Sequence, residues 1–243
     1  MPLNPASANT LPTVQAVLQE IAALTFDNYF HLGGDEVDTS CWSSTPSIVA
    51  WMNAHNYTTD QTYEYFVAQV DQMALNINRI PIRWEEVWKH FGTQLDPRTI
   101  IHVWLSSATM VDVVNNGYRG IWSVDGLYYL DDLTETWTSF YDVDILGGIT
   151  NVTAQQFVMG GEVEMWGETA DGSEVVATIF PRAAAAAERW WSYDITSNHS
   201  APGVAERLAA FRCFLLSRGV GAAPLNNAQA RSAPPGPGSC LYQ

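Results

Sequence analysis

Apolar positions along the chain switch repeatedly between two spacings. From Thr13 to Leu24 they fall at Val14, Val17, Leu18, Ile21 and Leu24, the three-to-four spacing of one helical face. Asn28-Tyr29-Phe30-His31-Leu32 is a short run stopped by Gly33-Gly34 and reads as a strand. Ile80 to Trp84, Ile100 to Trp104 and Arg119 to Ser123 read as further strands, and Phe157 to Trp166 holds a fifth. Helical segments separate them. One opens at Pro46 with Thr45 as its cap. A longer one, capped by Asp60, runs to about Ile77. A third spans Ser107 to Asn116, ended by Gly117 at the left-handed capping position. Helices are also expected around Ala183 to Trp191 and from Pro202 to Gly219. Val124 to about Gln156 reads as a long, aromatic, acidic loop, a kind of segment that is usually functional.

Strands alternating with helices predict an α/β fold with a parallel sheet. A doubly wound sheet would often carry a glycine-rich phosphate loop after its first strand, but here Gly33-Gly34 leads into Asp35-Glu36, which repels phosphate. A (β/α)8 barrel places its site residues at the C-terminal ends of several strands. Asp35-Glu36, Trp84-Glu85, Trp104 and Trp166-Gly167-Glu168 all fall there. The expected fold is therefore a (β/α)8 barrel that is incomplete, with about five βα units. Residues 1–225 form its barrel portion and 226–243 a Pro/Gly-rich tail.

Composition narrows the function. Lys and Arg total 11 against 26 Asp and Glu, a formal net charge of −15 over 243 residues. That balance argues against nucleic acid, which needs a basic patch. Lys89 is the single lysine, so a polybasic membrane contact is not expected either. No apolar run is long enough to span a bilayer. Sequons at Asn56, Asn151 and Asn198 lean toward a glycosylated, lysosomal or secreted protein. The N-terminus lacks the basic start and apolar stretch of a signal peptide, so the true N-terminus is expected to lie upstream of Met1. Of the three cysteines, Cys213 and Cys240 flank the tail and can close it as a disulfide, whereas Cys41 has no evident partner. The bland alternative is that all three are reduced.

Asp35 and Glu36 are adjacent, and neighbours on a regular strand face opposite ways. Both serve one site only where the strand has just ended, and Gly33-Gly34 supply that irregularity. An Asp-Glu pair is more often a solvated turn, and a strand-end Trp is more often core. The odds shift because carboxylates and Trp recur at the same end of successive strands. Glycoside cleavage needs paired carboxyl groups, because its transition state has oxocarbenium character. Trp84, Trp104 and Trp166 offer flat walls for a sugar ring, and Tyr129, Asp131 and Glu168 offer partners for hydroxyls. His31 reads as a core or supporting histidine. With no spaced His or Cys partners, neither a metal nor another cofactor is expected.

The segment His31-Leu32-Gly33-Gly34-Asp35-Glu36-Val37 resembles the signature of the family 20 glycoside hydrolases, the β-N-acetylhexosaminidases. Asp38 to Trp42, Ile82 to Val87, Gly160 to Glu168, Pro181-Arg182 through Ala187 to Trp191, Phe211-Arg212-Cys213 and Arg218-Gly219-Val220 fall in the family's order. The resemblance is closest to the eukaryotic, lysosomal-type enzymes. It implies a (β/α)8 barrel behind a small α/β domain and hydrolysis of terminal, non-reducing β-linked GlcNAc or GalNAc. The implied mechanism is retaining and substrate-assisted: the substrate's 2-acetamido oxygen attacks the anomeric carbon. By residue match, Glu36 is the general acid and then the base for water, and Asp35 holds the acetamido nitrogen. Tyr129 donates to the acetamido oxygen. Trp84, Trp104 and Trp166 wall the pocket, and Glu168 and Asp131 bind hydroxyls. Asp131 and Asp132 would disfavour sulfated or sialylated sugars.

The same resemblance implies that the small domain and the first three strands lie upstream of Met1, with a sugar-clamping arginine, an aspartate and a histidine. Cys41's usual partner lies there too. The chain then reads as the C-terminal part of the catalytic domain, and a homodimer is expected at full length. Two alternatives remain: an inactive or sugar-binding fragment, and a nucleotide cyclase suggested by Gly33-Gly34-Asp35-Glu36. Val37 stands where those cyclases carry Phe.

Overall fold

The computed structural model describes residues 2–168, 170–194, 196–225 and 240. The strands follow the predicted runs: β1 (Tyr29–His31), β2 (Ile80–Trp84), β3 (Ile100–Val103), β4 (Arg119–Trp122) and β5 (Val158–Gly161). They form one sheet in the order β1-β2-β3-β4-β5. Sheet order equals chain order, with a helical segment between successive strands. This is the topology of consecutive βα units of a (β/α)8 barrel. By internal contacts the chain divides into two compact units, residues 1–121 with 149–157, and residues 122–148 with 158–243.

In the first unit β1 pairs in parallel with β2 and β2 with β3, the second ladder running from Ile82↔Ile100 to Trp84↔His102. Pro81 precedes that ladder, so its missing N–H leaves no gap in it. All four residues of β3 are buried, as a strand covered on both faces requires. Helix α1 (Thr10–Leu24) lays Leu18 against Phe30 and Val70, with Val14 and Ala22 at the margin. Val70 comes from α4 (Thr59–Asn76), so α1 and α4 meet over Phe30 of β1.

Helix α4 corrects one expectation. Its cap is Thr58, not Asp60: Thr58 accepts from the Gln61 backbone, and the Gln61 side chain accepts from the Thr58 N–H. A reciprocal pair satisfies two orphan donors where Asp60, inside the first turn, only complements the helix dipole. Helices α2 (Ser40–Ser44) and α3 (Pro46–His55) precede it. Helix α5 (Glu85–Phe91) follows β2 with no intervening linker, and α6 (Ser107–Asn115) follows β3.

In the second unit the expected long loop is partly helical, with α7 at Trp137–Asp142. Helix α8 (Val152–Gln155), also within that stretch, belongs to the first unit. Thr136 caps α7 through Ser139. Helices α9 (Val175–Ile179), α10 (Arg182–Trp191) and α11 (Val204–Ser217) complete the unit. Tyr141, Ala185, Val204, Leu208, Ala209 and Leu225 form its core, and the alanines of α10 let α7 approach closely. Cys213 and Cys240 are joined as a disulfide across a separation of 27 residues, and Cys41 is free. The tail expected at 226–243 lies outside the described residues except for Cys240.

Candidate active site

The first unit holds the backbone around the Asp35-Glu36 turn at several points. Gly33 and Gly34 take φ of +66° and +108°, and Glu36 itself takes +48°. A glutamate in the left-handed region costs about 1–3 kcal/mol unless its surroundings impose it. They do. The Tyr63 hydroxyl donates to the Gly34 carbonyl at 2.7 Å, and the Arg83 guanidinium donates to Leu32 O at 2.7 Å. A Cβ on Gly34 would sit 2.4 Å from Val87 Cγ2, so no side chain fits there. Arg83 is buried, ion-paired to Asp71 at 2.7 Å, and also donates to Val67 O. Burial pushes the Asp71 carboxyl up, and the Arg83 guanidinium pulls the other way.

Glu36 is exposed and lines a cavity of about 410 Å3 with Asp38, Asp60, Tyr63, Glu86 and His90. Asp35 is half-buried and acts electrostatically on His31. The imidazoles beneath are ordered by one donor. Gly33 N–H donates to His31 Nδ1, which places the His31 proton on Nε2, and that proton is donated to His102 Nδ1 at 3.2 Å. Both rings are then neutral, with the single N–H proton of His102 on Nε2. Burial and the neighbouring His31 hold His102 down to about 3. His31 is also depressed, first by burial and then by Arg83, against an opposing pull from Asp35.

Trp84 stacks on His102 with ring centroids 4.1 Å apart and meets Trp104 edge-on at 6.4 Å. Two of the expected wall residues therefore adjoin. Trp104 is fastened twice. Its backbone N–H donates to Glu85 Oε2 at 2.9 Å, and its indole N–H donates to Glu86 Oε2 at 2.9 Å. Glu85 is fully buried and also accepts from the N–H groups of Leu105 and Ser106, from Thr109 and from Lys89.

In the second unit, Tyr129 and Glu164 pair in an isolated parallel bridge, with Glu164 N–H donating to Tyr128 O and Leu130 N–H to Glu164 O. The Trp166 indole is close enough to the Tyr129 hydroxyl to act on it electrostatically, so these two expected residues also meet. Trp166 is 41% exposed, an open face on a large apolar ring, and Glu168 is exposed beside it. One Asp131 carboxylate oxygen is buried without a hydrogen-bond partner among the described residues. Glu164 is buried, and burial with the nearby Glu162 and Asp131 charges pushes it up to about 7. Arg182 donates to the carbonyls of Leu130, Asp132 and Glu135, which fixes the segment carrying Tyr129 and Asp131.

Glu85, Glu86, Arg83, Arg182 and Glu164 received no role from the sequence. Arg83 had a local signal, a charge inside an apolar strand; the others act through distant partners.

Comparison with known proteins gives the family. The profile of the glycosyl hydrolase family 20 catalytic domain matches residues 1–194, and the chain belongs to that family. Beta-hexosaminidase 1 of Arabidopsis thaliana is 44% identical over 244 residues, covering 100% of this chain and 45% of that protein. Beta-hexosaminidase subunit alpha of Mus musculus is 33% identical over 236 residues, covering 93% and 43%. The chain thus spans less than half the length of these relatives. Among solved structures, Flavobacterium johnsoniae chitobiase aligns with a TM-score of 0.78 at 27% identity, covering 90% of this chain and 34% of that one. A Vibrio harveyi exo β-N-acetylglucosaminidase in complex with N-acetylglucosamine aligns at 0.79 and 24% identity over 90% of this chain and 36% of that one, a likeness of fold.

Proposed function

We propose that this chain carries the acid and wall residues of a β-N-acetylhexosaminidase acting on terminal β-linked GlcNAc or GalNAc. The observation that carries the reading is the Asp35-Glu36 turn, built on two left-handed glycines after β1, at the same C-terminal edge of the sheet where Trp84 ends β2 and Trp104 follows β3. Glu36, exposed at a cavity, donates a proton to the glycosidic oxygen as the C–O bond breaks. The substrate's acetamido oxygen attacks the anomeric carbon and forms an oxazolinium-like intermediate, oriented by Asp35 at the acetamido nitrogen. The Glu36 carboxylate then takes a proton from water, which attacks the same carbon, displaces the acetamido oxygen so that the 2-acetamido group is restored, and leaves the β configuration. Tyr129 is assigned the acetamido oxygen, Trp166 the third wall, and Asp131 and Glu168 the hydroxyls. The glycan is the expected partner, and a lysosomal or secreted setting with N-glycans at Asn56, Asn151 and Asn198 suits the three sequons. Association as a homodimer belongs to the full-length protein.

The test is hydrolysis of a chromogenic β-N-acetylglucosaminide. Glu36→Gln should lower the rate at least about 100-fold. Asp35→Asn should impair N-acetyl sugars specifically. Equal rates for Glu36→Gln and the parent overturn the assignment. GlcNAc binding without turnover in the parent would favour the inactive, sugar-binding alternative.

A further inference from the structure

We propose that Glu86 is a positioning residue that couples the general acid to the sugar wall, an assignment that rests on the hexosaminidase reading above. Glu85 and Glu86 are adjacent in the first turn of α5, yet they do different work. Glu85 is fully buried and spends both oxygens on the segment that follows β3. Glu86 is half-buried at the cavity that Glu36 lines, and its two oxygens go to two proposed site residues. Oε1 accepts from the Glu36 backbone N–H at 3.4 Å, and Oε2 accepts from the Trp104 indole N–H at 2.9 Å. One rigid carboxylate plane therefore relates the left-handed Glu36 backbone to the angle of the Trp104 ring.

Both partners are donors, so the position needs two acceptors. A carboxylate supplies two; a glutamine supplies one acceptor and turns an NH2 toward the other donor. Glu86→Gln keeps the shape and must break one contact, which makes it the diagnostic variant. Loss of the Trp104 contact loosens the wall and raises KM, whereas loss of the Glu36 contact lowers kcat. A charged hydrogen bond of this kind corresponds to a change of about tenfold to a hundredfold.

The experiment labels the tryptophan indoles with 15N and assigns Trp104 by its disappearance in Trp104→Phe. In Glu86→Gln, and in Glu86→Ala as a second variant, the Trp104 indole resonance should shift while the other indoles hold position. On the chromogenic substrate, Glu86→Gln should lower kcat/KM about tenfold or more. Its effect should also be non-additive with Trp104→Phe, because the two share one contact. An unmoved Trp104 resonance, or effects that simply multiply, overturns the proposal. A neutral Glu36→Gln overturns the hexosaminidase reading instead, and the indole resonance then decides the Glu86–Trp104 contact by itself.

Discussion

Trp84 lies nearly flat on His102, the planes 20° apart and the centroids at 4.1 Å. A strand-end tryptophan is thus backed by a buried, neutral imidazole whose orientation is set through His31 by the Gly33 amide. The stack is an apolar floor that protonation would disturb.

Acid should therefore destabilise the first unit. His102 is held down to about 3 when folded, against an ordinary value near 6.5. Below about pH 6.5 the unfolded chain binds the proton and the folded one does not, so stability falls as pH drops toward about 3. The slope is at most about 1.4 kcal/mol per pH unit. Urea titrations from pH 7.5 to 4.5 should show this loss, and His102→Gln should flatten it.

Glu164 predicts the opposite sign for the second unit. Its folded value is raised to about 7, so the folded state holds the proton more tightly. Its stabilising share is present at acid pH and is lost as pH rises toward about 7. Glu164→Gln, which stays neutral, should raise stability at pH 8 and leave it nearly unchanged at pH 4.5. An equal effect at both values would show that the charge is not the cause.

Gly34→Ala should be severe. The new methyl group meets Val87 Cγ2 at 2.4 Å at a φ of +108°. Overpacking and backbone strain are each of the order of 1–3 kcal/mol. Chemical denaturation should show the midpoint falling, and Gly34→Ala/Val87→Ala should recover the overpacking share while leaving the strain.

Arg83→Met should cost about 3–5 kcal/mol, because it strands Asp71 in the interior. Arg83→Met/Asp71→Leu should recover part of that, but not the carbonyl contacts to Leu32 and Val67. A double variant no better than the single one would mean that those carbonyls, not the ion pair, dominate.

Breaking the Cys213–Cys240 bond by Cys240→Ser should lower stability by roughly 3–4 kcal/mol in the chain-entropy model. Non-reducing peptide mapping should find that one bond, with Cys41 alone labelled by a thiol reagent.

The strands were legible because each holds a short apolar or aromatic stretch set between segments of helical spacing, with Tyr29–His31 lying between Asn28 and Gly33. Helix α5 was not, because Trp84 passes straight into Glu85 without a turn residue. The Thr58 cap carried a readable signal, Gln61 three residues on, which competed with a nearer aspartate. Helices α7 and α8, of six and four residues, are too short to show a period. The Asp35-Glu36 turn and the three Trp candidates could be named from type and place. Arg182 could not be given a role, since it reaches the Leu130 carbonyl from 52 residues away.

Glu85 has one more consequence. Three consecutive amides after β3, those of Trp104, Leu105 and Ser106, end on a single buried carboxylate oxygen. A stretch outside any strand or helix is held as firmly as a ladder, and its amides should exchange with deuterium as slowly as those of a strand. Any ring that meets Trp104 finds a finished surface. The entropy of arranging it is lost when the chain folds, and association has little left to freeze.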